Sequence, residues 1–231
     1  MLGGNVLFCG DPHGNFAPLV EGVHRHRPDA VVLAGDIQSR RPLDEELATI
    51  LPLTEVWWIH GNHDTDSDAD FDNLFGSALA DRNLDGRVVT IAGVRIAGLG
   101  GVFRRQVWMP PEAPRSASEA EYLSRCGQGN RWRGGLPRRH RSTIFPRTVS
   151  SLMGQRADVL VSHEAPACHP HGFEQIDALI DAMRVSVAFH GHHHESVIYP
   201  GDGSCRIIGL GANALSTIAG DFLSGVPVDQ G

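Results

Sequence analysis

The chain has 231 residues, of which 41% are hydrophobic and 20% charged, a composition of folded globular proteins that excludes a disordered or collagen-like chain. Its net charge of −7 argues against a whole-chain surface for nucleic acid or anionic membranes. Four dispersed cysteines (Cys9, Cys126, Cys168, Cys205), with no CxxC pair, fit a reduced compartment better than a disulfide framework or a structural zinc knot.

The first residues, MLGGNVLFCG, lack the charged start of a signal peptide. No run approaches the roughly 20 apolar residues of a spanning helix, so the expectation is a cytoplasmic protein without a membrane partner.

Taken in chain order, a short apolar run at 6–15 stops at Gly10-Asp11-Pro12-His13-Gly14. Residues 16–26 follow with Leu19, Val20 and Val23 on one helical face and Pro18 suited to a first turn. The run at 30–38 stops at Gly35-Asp36. Residues 42–50 open with Pro42 and the acids Asp44, Glu45 and Glu46, as a helix N-terminus does. The run at 55–64 stops at Gly61-Asn62-His63-Asp64. Residues 87–101 alternate on both sides of Ala92-Gly93 and predict a hairpin.

The run at 157–166 stops at Ser162-His163-Glu164. Helical spacing returns at 174–184, with Ile176, Leu179, Ile180 and Met183. The run at 185–194 stops at Gly191-His192-His193-His194. A second hairpin is expected at 196–212, turning at Gly201-Asp202-Gly203, and the tail from about Asp221 is expected to be peripheral.

Five short apolar runs of this kind read as buried strands, and strand–helix alternation predicts an α/β sandwich formed by one domain, 1–231. In such folds ligands gather outside the carboxyl ends of the strands. All five polar clusters fall there. They supply Asp11, His13, Asp36, Asn62, His63, His163, His192 and His194. Oxygen and imidazole donors without thiolate suit divalent Mn, Fe or Zn. Eight groups are too many for one ion and suit two ions that share a carboxylate.

The ordered set D11-P-H13, G35-D36, G61-N62-H63-D64, H163 and G191-H192-H193-H194 resembles the calcineurin-like metallophosphoesterase superfamily, over most of the chain. The resemblance implies an αββα sandwich of two mixed sheets flanked by helices, with a dimetal site at the strand C-terminal ends. It implies Asp11, His13 and His194 as ligands of one ion, Asn62, His163 and His192 as ligands of the other, and Asp36 as the bridge. His63 becomes the catalytic histidine that holds no metal. The ions implied are two divalent metals, Mn first, with Fe, Zn or Mg as alternatives. Such a pair can hold a hydroxide nucleophile and clamp both oxygens of an in-line displacement.

The resemblance to the protein Ser/Thr phosphatase branch is incomplete. In that branch's G-D-x-V-D-R-G register, Ser39 stands where the second Asp belongs, although Arg40 falls on the phosphate-binding arginine. His63 therefore needs another group to orient it.

The expected activity is hydrolysis of phosphate esters, first of monoesters on a small molecule, nucleotide or phosphoprotein. Cyclic or dinucleotide diesters come next, then nuclease action, and a non-catalytic binding module last. His24, His26, His140 and His190 carry no motif and read as structural. His60, His169 and His171 lie close enough to the motifs to be supporting or substrate-facing, Cys9 reads as core, and His193 is expected to point away from the ions.

Residues 103–147 interrupt the strand pattern with ten arginines against three glutamates, a balance of +7. This segment reads either as a solvated insertion or as a cap that binds anionic substrate.

Overall fold

The computed structural model describes residues 3–200 and 204–225. The strands are β1 Val6–Cys9, β2 Ala30–Leu33, β3 Glu55–Trp58, β4 Val88–Ile91, β5 Val94–Leu99, β6 Val159–Ser162, β7 Val187–His190, β8 Val197–Ile198, β9 Arg206–Gly209, β10 Leu215–Thr217 and β11 Phe222–Ser224. The helices are α1 Ala17–His26, α2 Leu43–Glu46, α3 Asp68–Phe75, α4 Glu119–Arg125, α5 Pro146–Met153 and α6 Glu174–Met183.

Two mixed sheets result. The first has the order β11-β10-β1-β2-β3, with β1, β2 and β3 parallel and β10 antiparallel to β1. The second has the order β4-β5-β6-β7-β9-β8, with β5, β6, β7 and β9 parallel and antiparallel strands at both edges.

Period-2 alternation sorts the side chains into layers. Val6 and Phe8 of β1 face the second sheet and join Val32, Ile59, Ile96, Val161, Phe189 and Ile208. Leu7 and Cys9 face the other way, against Leu19 and Val23 of α1 and Leu74 of α3. On the far face of the second sheet, Ala97, Leu160 and Ala188 pack on Val149 and Leu152 of α5 and Ile176, Leu179 and Met183 of α6. The result is the expected four-layer αββα sandwich. Phe8 and Phe189 stack across its middle, ring centroids 3.9 Å apart, three residues before Asp11 and His192 respectively. That contact fixes the two sheets at the point where their ligand-type loops begin.

Three local expectations change. The helix expected over 42–50 is one turn, α2, followed by turns to Leu53. The segment around Asp221 is not merely peripheral, because β10 and β11 extend the first sheet. The 87–101 hairpin forms, with Ala92 and Gly93 both at positive φ. In the second hairpin β8 and β9 pair as expected, while its turn at 201–203 lies outside the described residues. No described helix is long and apolar enough to cross a membrane.

The arginine-rich segment contributes no strand to either sheet. It has its own apolar anchor of Val107, Leu136 and Phe145, with Trp108, Tyr122 and Leu123 packed against it. Its helix α4 opens on Ser118, whose hydroxyl accepts from the Glu121 N–H, while the Glu121 carboxylate reaches back to the Ala117 N–H. The arrangement resembles a capping box, with the carboxylate returning to the residue before the cap rather than to the cap itself.

Candidate dimetal site

Each ligand-type loop begins where a strand of the sandwich ends. Strands β1, β2 and β3 deliver Asp11 and His13, Asp36, and Asn62 and His63; β6 and β7 deliver His163, then His192 and His194. The chain turns sharply at each point. Six of the eleven non-glycine residues with positive φ among the described residues lie in these loops: Asp11, His13, Asp36, Gln38, His192 and His194. Left-handed backbone at such residues is strained, and strain held by the surrounding fold concentrates at functional sites.

Two groups of donors converge. His13, Asp36 and His194 form one and Asp36, His163 and His192 the other, each with its ligand atoms within 4.8 Å of one another. Asp36 belongs to both. Asp11 borders the first group, its Oδ2 3.8 Å from His194 Nε2. Asn62 borders the second, its Oδ1 3.2 Å from His163 Nε2. The site is asymmetric: Asp11, Asp36 and His163 are buried, whereas His63 and His194 are exposed. The exposed edge of the cluster is therefore the His63–His194 side.

Supporting hydrogen bonds set which ring nitrogens face inward. His163 Nδ1 lies 2.9 Å from the Ala34 carbonyl, so it carries the proton and Nε2 turns to Asp36 and Asn62. His13 Nδ1 lies 2.5 Å from Gln38 Oε1, so Nε2 faces His194 Nε2 at 2.9 Å. Two imidazole nitrogens that close together fit two ligands converging on one point. The carboxylates are held as well. Asp36 Oδ1 accepts from the His63 N–H at 2.8 Å, and Asp11 Oδ2 from the His192 N–H at 2.8 Å.

The donor set fits divalent cations. Asp11 Oδ1 is buried without a hydrogen-bond partner among the described residues. Burial pushes Asp11 up to about 7, while His163 pulls in the other direction. Burial also opposes the charge on Asp36, yet His163 and the His63 N–H outweigh it and hold Asp36 well below the ordinary carboxylate range. His163 loses charge stability to burial, but Asp36 and Asp11 more than restore it and raise its pKa. Two buried carboxylates thus make a field that holds positive charge, which a pair of divalent ions satisfies with oxygen and nitrogen donors.

His63 sits on a 3-10 turn, His63–Thr65, at the rim. Its Nδ1 lies 2.6 Å from Asp66 Oδ2. Partial burial disfavours the charged ring, but the Asp66 bond and the fields of Asp36, Asp66 and Asp64 prevail and raise its pKa. Asp66 is the orienting group that the sequence reading left unidentified. Its signal was an acidic residue three positions after the histidine, in H-D-T-D.

Gln38 was missed for a similar reason: its contact with His13 spans two separate loops. Asp64 has a bracing part. It is fully buried, accepts from the Gln38 and Gly61 N–H groups at 2.8 Å each, and so ties the Asp36 loop to the Asn62 loop. Burial, with Asp36 nearby, pushes it up to about 6.

The remaining histidines divide. His193 belongs to neither donor group and stacks on His169, centroids 3.7 Å apart, with His171 and His190 about the pair. His190 is buried between the Gly191 carbonyl and the Tyr199 hydroxyl, and burial lowers it to about 4. His60 is buried, and burial lowers it too. Arg40 is exposed and its side chain passes beside Gly14, next to His13. It makes no hydrogen bond or ion pair with the described residues.

Among relatives, an uncharacterised protein of Haemophilus influenzae is 42% identical over 218 residues, covering 94% of this chain and 96% of its own. A Thermus thermophilus protein of solved structure superposes with a TM-score of 0.58 at 15% identity, covering 94% of this chain and 96% of that one. A dimetal phosphatase from Danio rerio superposes at 0.52 and 14% identity, covering 93% of each chain. At such identities these two structures establish the shared fold. The model of calcineurin-like phosphoesterases matches residues 4–196, and the chain belongs to that family of metal-dependent phosphoric ester hydrolases.

Proposed function

We propose that the chain is a phosphomonoesterase in which Asp11, His13, Asp36 and His194 hold one divalent ion and Asp36, Asn62, His163 and His192 the other. The observation that carries this reading is the membership of Asp36 in both donor groups. Manganese is the first metal to test, and Fe and Zn suit the same carboxylate, amide and imidazole donors without thiolate. When bound, such a pair supplies Lewis-acid charge to phosphoryl oxygens and lowers the pKa of water.

The protein's own residues do the rest. Asp66 accepts from His63 Nδ1–H and leaves Nε2–H free to donate to the leaving oxygen. The Asp66 bond raises the pKa of the ring and so favours retention of that proton. Arg40, beside Gly14, contributes a guanidinium to the substrate phosphate.

The cationic surroundings favour a monoester over a diester. Arg40 flanks one side, and Arg104 lies within electrostatic reach of Asp36 and Asp66. A dianionic monoester gains more from two guanidinium groups than a monoanionic diester does. The test is a panel of p-nitrophenyl phosphate, bis-p-nitrophenyl phosphate, cyclic nucleotides and single-stranded DNA, run with Mn, Fe, Zn and Mg. Faster turnover of the diesters would overturn the monoester reading.

A further inference from the structure

A cavity of about 560 Å3 lies in the arginine-rich segment, outside the donor cluster. Arg115, Arg125, Arg139, His140, Tyr122 and Asn130 are among its walls, and no acidic residue lines it. Its arginines are not equivalent. Arg125 is a brace: its Nη2 donates to the Arg115 carbonyl, the Ser116 hydroxyl and Glu121 at 2.6, 2.8 and 2.7 Å. Arg115 and Arg139 are exposed, and their guanidinium groups have no hydrogen bond or ion pair among the described residues.

The rest of the segment's charge is largely committed. Arg133 pairs with Asp72 and Asp68, Arg105 with Glu112, and Arg131 donates to the Leu123 and Cys126 carbonyls. A cap over residues 103–147 that binds anions would therefore do so through its uncommitted arginines.

The segment that lines the cavity through Pro137, Arg139 and His140 is hydrogen-bonded to the His63–Thr65 turn by its neighbouring residues. Arg138, next to Arg139, donates to the Thr65 carbonyl at 3.2 Å and the Asp66 carbonyl at 2.7 Å. Ser142 Oγ and Thr65 Oγ1 are 2.7 Å apart. Arg104 reaches both sides. Its Nη2 donates to Ser142 Oγ at 3.1 Å, and its buried Nε has no partner among the described residues. Burial and the field of Arg139 weaken its hold on charge, while Asp66, Glu164 and Asp36 support it from the other side. Burial, Arg104 and Arg139 together keep His140 neutral, with its pKa near 4. Uncompensated positive charge around a pocket of nucleotide size favours an anion.

We propose that this cavity is a second anion subsite, which holds the distal phosphate of an organic substrate while its scissile phosphate lies against the Asp36-centred cluster. The substrate class is an organic phosphate with two separated phosphate groups. The planar fork of arginine suits phosphate oxygens. The proposal rests on the phosphoesterase reading of the neighbouring cluster.

The probe is inorganic tripolyphosphate, measured by calorimetry at low salt on the full chain treated with chelator, so that turnover and metal sequestration play no part. Wild-type protein is expected to bind it saturably. Arg115→Gln with Arg139→Gln should weaken binding by at least about tenfold, the scale of lost charge-assisted bonds. Arg105→Gln with Arg147→Gln removes the same charge from the same segment outside the cavity, and should change affinity by less than about twofold, as exposed charges do. Equal losses in the two double variants, or no saturable binding by wild type, would overturn the subsite. Failure of the hydrolase reading shows separately, as absent turnover of both p-nitrophenyl esters with any of the four metals.

Discussion

His63 Nδ1 and Asp66 Oδ2 lie 2.6 Å apart on one turn, both at the open rim of the donor cluster. The pair replaces the Asp that the phosphatase register would have placed at Ser39. Asp66→Asn should lower the pKa of His63, because the Asp66 bond is the largest influence that raises it. The alkaline limb of the pH–rate profile should then move to lower pH, and kcat for esters with poor leaving groups should fall by at least about tenfold. Steady-state profiles of the variant and wild type check both shifts.

His63→Asn should keep the metal content and lose on the order of 10²–10⁴ in kcat. The loss should shrink for p-nitrophenyl phosphate, whose leaving group needs little protonation. An equal loss for alkyl and aryl phosphates would count against proton donation.

Gly61 has no room for a side chain. A Cβ there would run into the Asp36 carboxylate and backbone and the His163 ring. Gly61→Ala should destabilise the fold by about 1–3 kcal/mol and weaken metal retention, since both donor groups contain Asp36. Denaturant melts and elemental analysis of the purified variant measure the two effects.

His140 carries a pH prediction. Its pKa is near 4 in the fold, because of burial first and then Arg104 and Arg139, against about 6.5 for an ordinary histidine. Above the unfolded value the ring is neutral in both states and the stability is full. As pH falls below it, the unfolded chain takes up the proton first, so stability declines until the folded pKa is reached. His140→Gln should therefore flatten the fall in Tm between about pH 6.5 and 4 relative to wild type. Parallel Tm curves would show that His140 contributes nothing to it.

The strand ends were legible in the sequence because two constraints coincide there. Apolar runs such as Val6–Cys9 and Val159–Ser162 are buried on both faces, and the residue types that follow suit metal donors whatever the details of the turn. Asp66 and Gln38 were not legible, because their contacts depend on how a 3-10 turn and two left-handed residues aim side chains. Strands β10 and β11 are three residues each and find their place only by pairing with β1 and with each other. The arginine-rich segment was legible as a block of charge but not in its division of labour. Which guanidinium groups are spent on Asp68, Asp72 and backbone carbonyls is a matter of tertiary placement.

The central claim is that Asp36 bridges two ions, and an anomalous difference map from crystals loaded with manganese tests it most directly. The account predicts two peaks about 3.5–4 Å apart, the usual separation in two-metal sites, with the Asp36 carboxylate between them. His13 and His194 should flank one peak, and His163 and His192 the other. A single peak, or two peaks of which Asp36 touches only one, would contradict it.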